Sequence, residues 1–290
     1  MEGLTRYTKV VMRIIRMEDF KRLPKKRKHK RPVILFGVLL ALGGGFVAYQ
    51  KSAGHTAGSP DGRSAVAGKS TELKKFSNDE FRALAASIKY PNTQLFAEPS
   101  PISGNAQADE RIRTIAEDRG YHPTSIPVSA IVKINEPRLE GDDLLQPLAA
   151  MAWQELKTAA QKDGIPLSIL SAYRSPDYQR DLFMKRLLGR DVSVEQIAAG
   201  QGDAQIQDTL DMTAVPGYSR HHTGYTIDLW CEDRTGAFLS SRCYKWISAN
   251  NYQKAKETGW IPGYPGGVML QGPEPEPWEY VWVGKDLLRR

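Results

Sequence analysis

Pro216 to Leu229 reads P-G-Y-S-R-H-H-T-G-Y-T-I-D-L and sets an imidazole, His221, and a carboxylate, Asp228, on either side of a glycine turn at Gly224. Zinc takes nitrogen and oxygen ligands in tetrahedral geometry and, in catalytic sites, keeps one position open for water. Two such side chains around a tight turn read as half of a metal site. In the strand expected after the turn, Tyr225, Ile227 and Leu229 point one way while Thr226 and Asp228 point the other, so Asp228 faces a site as its neighbours enter a core.

Two further blocks accompany this one: S-A-Y-R-S from Ser171 to Ser175, and E-P-W-E-Y-V-W-V-G from Glu276 to Gly284. In this order the three resemble the VanY-type D-alanyl-D-alanine carboxypeptidases, LAS metallopeptidases of the bacterial cell wall, whose signature is S-x-H-x-x-G-x-A-x-D. Here Ser219, His221, Gly224, Thr226 and Asp228 occupy those places, with Thr in the Ala slot. The resemblance covers roughly Gln107 to Gly284 and implies an α+β fold, a small antiparallel sheet carrying the metal site between flanking helices. It also implies hydrolysis of peptidoglycan stem peptides at a zinc ion, with Ser219 among the residues that bind substrate.

One departure stands out. The family's last block reads E-P-W-H, in which the Glu is the base and the His the third zinc ligand, whereas this chain has Glu279 in the His slot. A carboxylate binds zinc at about the imidazole distance, so His221, Asp228 and Glu279 are the expected ligands. Such a site is harder and more anionic, which moves metal preference toward manganese or other oxygen-loving ions. Of five histidines, His29 and His55 lie outside the enzyme-like part and His122 reads as a turn residue. His222 could complete the site only if adjacent residues both turned inward. In the last strand Trp278, Tyr280 and Trp282 share one face, a core stripe, and Glu279 the other, so Glu279 can meet Asp228 across paired antiparallel strands.

Glu276 is the expected base, chosen over Glu274 because it adjoins Pro277 and Trp278; it takes a proton from water and returns it to the leaving amine. Leu167 to Ala172 reads as a strand delivering Arg174 to its end, where a planar guanidinium can hold a carboxylate by two hydrogen bonds. In the family this Arg grips the terminal D-Ala carboxylate. Gln179, one helical turn on, is a weaker candidate for the same pocket. Ser175 caps the next helix with Pro176 at its first position.

Helices are expected at Asp109 to Arg119, at Asp142 to Asp163 with Leu144, Leu145, Leu148 and Met151 on one face, and at Ser240 to Gly259. Cys231 and Cys243 are the only cysteines. In an extracytoplasmic domain an even pair forms a disulfide; free thiols and zinc thiolates are the alternatives.

The net charge of +7 over 290 residues owes much to K-R-L-P-K-K-R-K-H-K-R from Lys21 to Arg31, so it is not a nucleic-acid footprint. Val33 to Tyr49 is apolar and uncharged, at the short end of what spans a bilayer. Its basic flank puts the amino terminus in the cytoplasm and the remainder outside, with the Lys and Arg side chains against anionic lipid. A cleaved signal peptide is the alternative, though no clean A-x-A site follows directly on the apolar run. The expected organisation is a basic tail (1–32), a transmembrane anchor (33–49), a stalk or linker with a short helix (50–106) and a metallopeptidase-like domain (107–290). The function expected is a membrane-anchored D-alanyl-D-alanine carboxypeptidase. A non-catalytic wall-peptide binder, an L,D-carboxypeptidase and a dipeptidase remain alternatives.

Overall fold

The sheet that carries the site has four antiparallel strands in the order β5 (Leu167–Ser171), β6 (Thr226–Cys231), β8 (Glu279–Trp282), β7 (Trp260–Pro262). The structure, a computed structural model, describes residues 72–96, 101–136, 142–267 and 274–290, which belong to one compact unit, Ser70–Arg290. The basic tail, the Val33 to Tyr49 span and the stalk up to residue 71 lie outside the described residues. Among the described residues no helix is long and apolar enough to cross a membrane.

Ahead of the sheet come α1 (Asn78–Ser87), β1 (Thr93–Leu95), α2 (Ala106–Asp118), β2 (Ser125–Pro127), β3 (Val132–Lys133), β4 (Leu144–Leu145) and α3 (Pro147–Lys162). Between β5 and β6 lie α4 (Pro176–Leu188), α5 (Val194–Ala198) and α6 (Asp203–Leu210); α7 (Arg242–Glu257) follows β6. Strands β1 and β2 pair, as do β3 and β4, each as a separate antiparallel ribbon.

One face of the sheet makes the main core. Ile169, Tyr225, Ile227, Leu229 and Tyr280 pack there with Trp153 and Leu156 of α3 and Ile247 of α7. Tyr225 is stacked between Tyr90 and Trp282, ring centroids 4.9 and 5.3 Å away. The aromatic stripe of the last strand is thus core, as its alternation predicts. Helices α2, α4, α5 and α6 close a second core around Ile112, Phe183, Ile197 and Ile206.

The other face carries Val281 and Val283, covered by Phe81 of α1 together with Ile261 and Leu288. Residues 72–88 are therefore part of the folded unit; the short helix expected within 50–106 is α1, and the boundary expected at Gln107 is corrected, since the compact unit begins at Ser70. Asn251 clasps this segment by accepting from the Phe76 amide at 2.9 Å and donating to the Phe76 carbonyl at 2.7 Å. To do so it interrupts α7: Asn250, Asn251 and Tyr252 have φ of 51°, 60° and 58°. Asn reaches the left-handed region more readily than most residues; for Tyr252 the conformation is a cost, met by ring contacts with Phe81 and Tyr280.

Two more expectations are corrected. Leu144 and Leu145 form β4, not the start of a helix, which begins at Pro147. The buried stripe of α3 is Ala149, Ala152, Trp153, Leu156 and Ala160, while Leu148 and Met151 are 44% and 65% exposed. The Ser175 cap is as expected: its hydroxyl accepts from the Tyr178 amide, with Pro176 at the first position of α4.

Candidate metal centre

Asp228 and Glu279 sit opposite each other in the β6–β8 register, one step from the Ile227–Tyr280 pair. Side chains of directly opposed residues share a face, so the two carboxylates converge. His221 reaches them from the short 3-10 turn Arg220–Thr223, which Gly224 closes at φ 72°. A side chain at 224 would be strained by this φ and would also press on Gln146 at 3.1 Å. His221 Nε2 lies 3.3 Å from Asp228 Oδ2 and 3.8 Å from Glu279 Oε2, and all three residues are buried. One ligand atom from each lies within 4.8 Å of the others.

The hydrogen bonds define what this cluster lacks. His221 Nδ1 is 2.6 Å from the Ala172 carbonyl oxygen, which only accepts, so Nδ1 carries the hydrogen. In a neutral ring Nε2 is then a lone pair aimed at two carboxylates. With Nδ1 holding its only hydrogen, the neutral ring shares none with either carboxylate. Arg174 Nη2 donates to Asp228 Oδ2 and Arg220 pairs with Glu279 Oε1, but the approach of Nε2 itself calls for a proton or a metal ion between it and the carboxylates. His221 Nε2 and Asp228 Oδ1 are buried without a hydrogen-bond partner. The donor set of one imidazole nitrogen and two carboxylates, with Nδ1 fixed by a backbone carbonyl, fits a divalent ion.

His222 is committed elsewhere. Its Nδ1 donates to the Arg174 carbonyl at 2.6 Å and its Nε2 accepts from the Gly217 amide at 3.0 Å. Burial pushes its pKa down to about 4 against the Arg174 carbonyl bond, keeping the ring neutral.

Arg174 reaches the cluster. Its Nε donates to Ser171 Oγ at 2.8 Å and its Nη2 to Asp228 Oδ2 at 2.8 Å. A guanidinium carries five N–H bonds, so donors remain for a second carboxylate. Ser219, Arg174, His221, Glu276 and Glu279 all border one pocket. Gln179 is fully buried outside that lining; its amide donates to the Ala214 carbonyl at 2.7 Å and to Thr213 Oγ1 at 3.0 Å. Both partners border the pocket, so Gln179 sits behind its wall and not in its lining.

Half-buried Glu276 lies just before the β8 turn, where its carbonyl accepts from the Glu279 amide at 3.0 Å. Desolvation, with Asp228 and Glu279 nearby, pushes its carboxyl well above the usual carboxylate range, against the opposing pull of Arg174 and Arg220. Burial would raise the Asp228 pKa as well, but His221, Arg174 and Arg220 hold it below the ordinary value.

Sequence reasoning missed Arg220, whose Nη2 is 2.6 Å from Glu279 Oε1 and whose guanidinium lies 4.6 Å from the Tyr264 ring centroid. Its place beside His221 was the only signal. Tyr121, Met212 and Tyr264 also border the pocket from distant parts of the chain. Cys231 and Cys243 form a disulfide that joins the end of β6 to the start of α7, with Cα atoms 5.7 Å apart.

The profile of the family described as VanY, D-alanyl-D-alanine carboxypeptidase, matches residues 142–285. A D-alanyl-D-alanine carboxypeptidase of Enterococcus faecalis is 30% identical over 135 residues, 45% of this chain and 45% of that protein. The match thus spans about half the length of that curated relative. Among solved structures, a point mutant of the vancomycin resistance D,D-pentapeptidase VanY in complex with Zn(II) is 22% identical, with TM-score 0.42, over 57% of this chain and 85% of that one. The LdcB LD-carboxypeptidase is 25% identical, with TM-score 0.41, over 54% and 67%. Through residues 142–285, which hold the ligand cluster, Arg174 and Glu276, this chain belongs to the VanY-type D-alanyl-D-alanine carboxypeptidase family.

Proposed function

We propose that this protein is a membrane-anchored, metal-dependent carboxypeptidase that removes a terminal D-alanine from peptidoglycan stem peptides. The observation that carries the reading is the convergence of one ligand atom each from His221, Asp228 and Glu279, all buried, within 4.8 Å of one another. When bound there, zinc or another divalent ion supplies Lewis acidity toward the scissile carbonyl. Glu276, desolvated beside the cluster, takes the proton of the attacking water and delivers it to the leaving amine. Arg174 receives the substrate's terminal carboxylate with the donors that Ser171 and Asp228 leave free. Ser219 borders the same pocket. D,D-pentapeptide and L,D-tetrapeptide stems both end in D-alanine and make the same demand on Arg174.

The disulfide supports an oxidising location, in agreement with the basic flank and apolar span before the domain, whose Lys and Arg residues meet anionic lipid. Protease added to intact spheroplasts then removes the domain; protection until the membrane is broken would defeat the topology.

A second reading is a wall-peptide binder without hydrolysis. It is favoured by the Arg220–Glu279 ion pair, which gives Glu279 a partner in the absence of any metal. Metal content of the purified protein, measured alongside D-alanine release from pentapeptide and tetrapeptide stems, separates the two. Stoichiometric metal with release supports the enzyme. Stem-peptide binding without metal or release supports the binder.

A further inference from the structure

We infer that Arg220 sets metal selectivity: by holding Oε1 of Glu279 it leaves Oε2 as the one donor atom this carboxylate offers, which favours a four-coordinate ion such as zinc over manganese. The inference rests on the reading that His221, Asp228 and Glu279 hold a metal ion.

The two oxygens of Glu279 have different surroundings. Oε2 faces His221 Nε2 at 3.8 Å, inside the ligand cluster. Oε1 faces Arg220 Nη2 at 2.6 Å in a buried ion pair whose geometry is not that of a hydrogen bond, so Arg220 holds Oε1 by charge and proximity. It occupies a narrow slot between that guanidinium and the backbone of Gly263, where an added Cβ would meet Oε1 at 2.4 Å. Backbone and side chain are fixed together: the Gly263 amide donates to the Glu279 carbonyl at 2.8 Å, and Arg220 Nη1 donates to the Gly263 carbonyl at 3.2 Å. With the guanidinium also over the Tyr264 ring, neither partner of Oε1 is free to swing away.

The coordination chemistry follows from this slot. Zinc sites with three protein ligands and one open position need one atom from each ligand. Larger, oxygen-preferring ions take more donors, often both oxygens of one carboxylate. Holding Oε1 withholds the second oxygen. Arg220 also offsets the charge that Glu279 adds, so ligands and counter-ion together carry the same net charge as two imidazoles with one carboxylate. Glu279 without Arg220 would be a harder and more anionic ligand.

The test is equilibrium binding of zinc and of manganese, each alone, to the full-length protein and its variants, with folding followed by circular dichroism. Arg220→Gln is expected to reduce the preference for zinc over manganese by roughly tenfold or more, the scale on which partners of metal ligands act. Arg220→Lys restores part of it. Gly263→Ala, which crowds Oε1 from the opposite side, shifts the preference the same way and serves if Arg220→Gln does not fold. In a Glu279→His background, where no second oxygen exists, adding Arg220→Gln leaves the preference unchanged. Folded Arg220→Gln or Gly263→Ala protein with the parental preference overturns the role of Arg220 while leaving the metal site standing. A parent that binds neither ion at micromolar concentration overturns the metal site and this inference together.

Discussion

Asp228 and Glu279 are register partners across β6 and β8, and both present a carboxylate oxygen to the same nitrogen of His221. The pairing puts Glu279 where a third ligand would stand. Glu279→Ala is expected to abolish stoichiometric metal binding, read by metal analysis after dialysis. Glu279→His gives two imidazoles and one carboxylate and binds zinc at least as tightly as the parent. Zinc retained by Glu279→Ala at parental affinity would remove Glu279 from the ligand set.

Glu276 borders the pocket without belonging to the ligand cluster. Glu276→Gln keeps the shape but cannot accept a proton. It should retain metal and lose kcat by roughly 10²- to 10⁴-fold. Steady-state kinetics on a stem pentapeptide, with metal content measured on the same sample, decides this.

Arg174 bridges Ser171 and Asp228 through two different nitrogens. Arg174→Lys preserves charge but not the planar fork. The expected result is a large fall in kcat/KM for stems ending in a free carboxylate, with metal content and thermal midpoint little changed. An unaltered kcat/KM would place Arg174 in a purely structural role beside Asp228.

The disulfide closes a short loop, with a sequence separation of 12, between the end of β6 and α7. Replacing both cysteines by alanine should lower unfolding free energy by about 2–4 kcal/mol. Denaturant titration of the pair variant against the oxidised parent measures it.

Phe81 is fully buried against Ile261, Val281, Val283 and Leu288. Phe81→Ala should cost about 3–5 kcal/mol, and a chain shortened to begin at Gln107 should lose cooperative unfolding. A shortened chain as stable as the parent would return residues 72–106 to the status of a linker.

The strand pairing at the site was legible because a period of two assigns faces without knowledge of the partner: Asp228 opposes Ile227 and Leu229, and Glu279 opposes Tyr280. Helix α3 was misread because the apolar phase was taken from Leu144 and Leu145, which belong to a strand. The true buried stripe is mostly alanine around Trp153 and Leu156, small side chains that give a weak periodic signal. Residues 72–88 looked like linker because their partners are remote; the Phe76–Asn251 contacts cross 175 positions. Arg220 escaped because the strand rule, under which neighbours diverge, does not apply in the 3-10 turn, where Arg220 and His221 both reach Glu279.

The backbone carbonyls of Ala172 and Arg174 each take the Nδ1 hydrogen of a neighbouring imidazole, and the Gly217 amide occupies the other nitrogen of His222. Neither ring is then free to relay hydrogen during turnover. On the proposed carboxypeptidase reading the proton of the attacking water then passes to Glu276 and not to an imidazole, and a proton inventory in mixed light and heavy water should depend linearly on deuterium fraction.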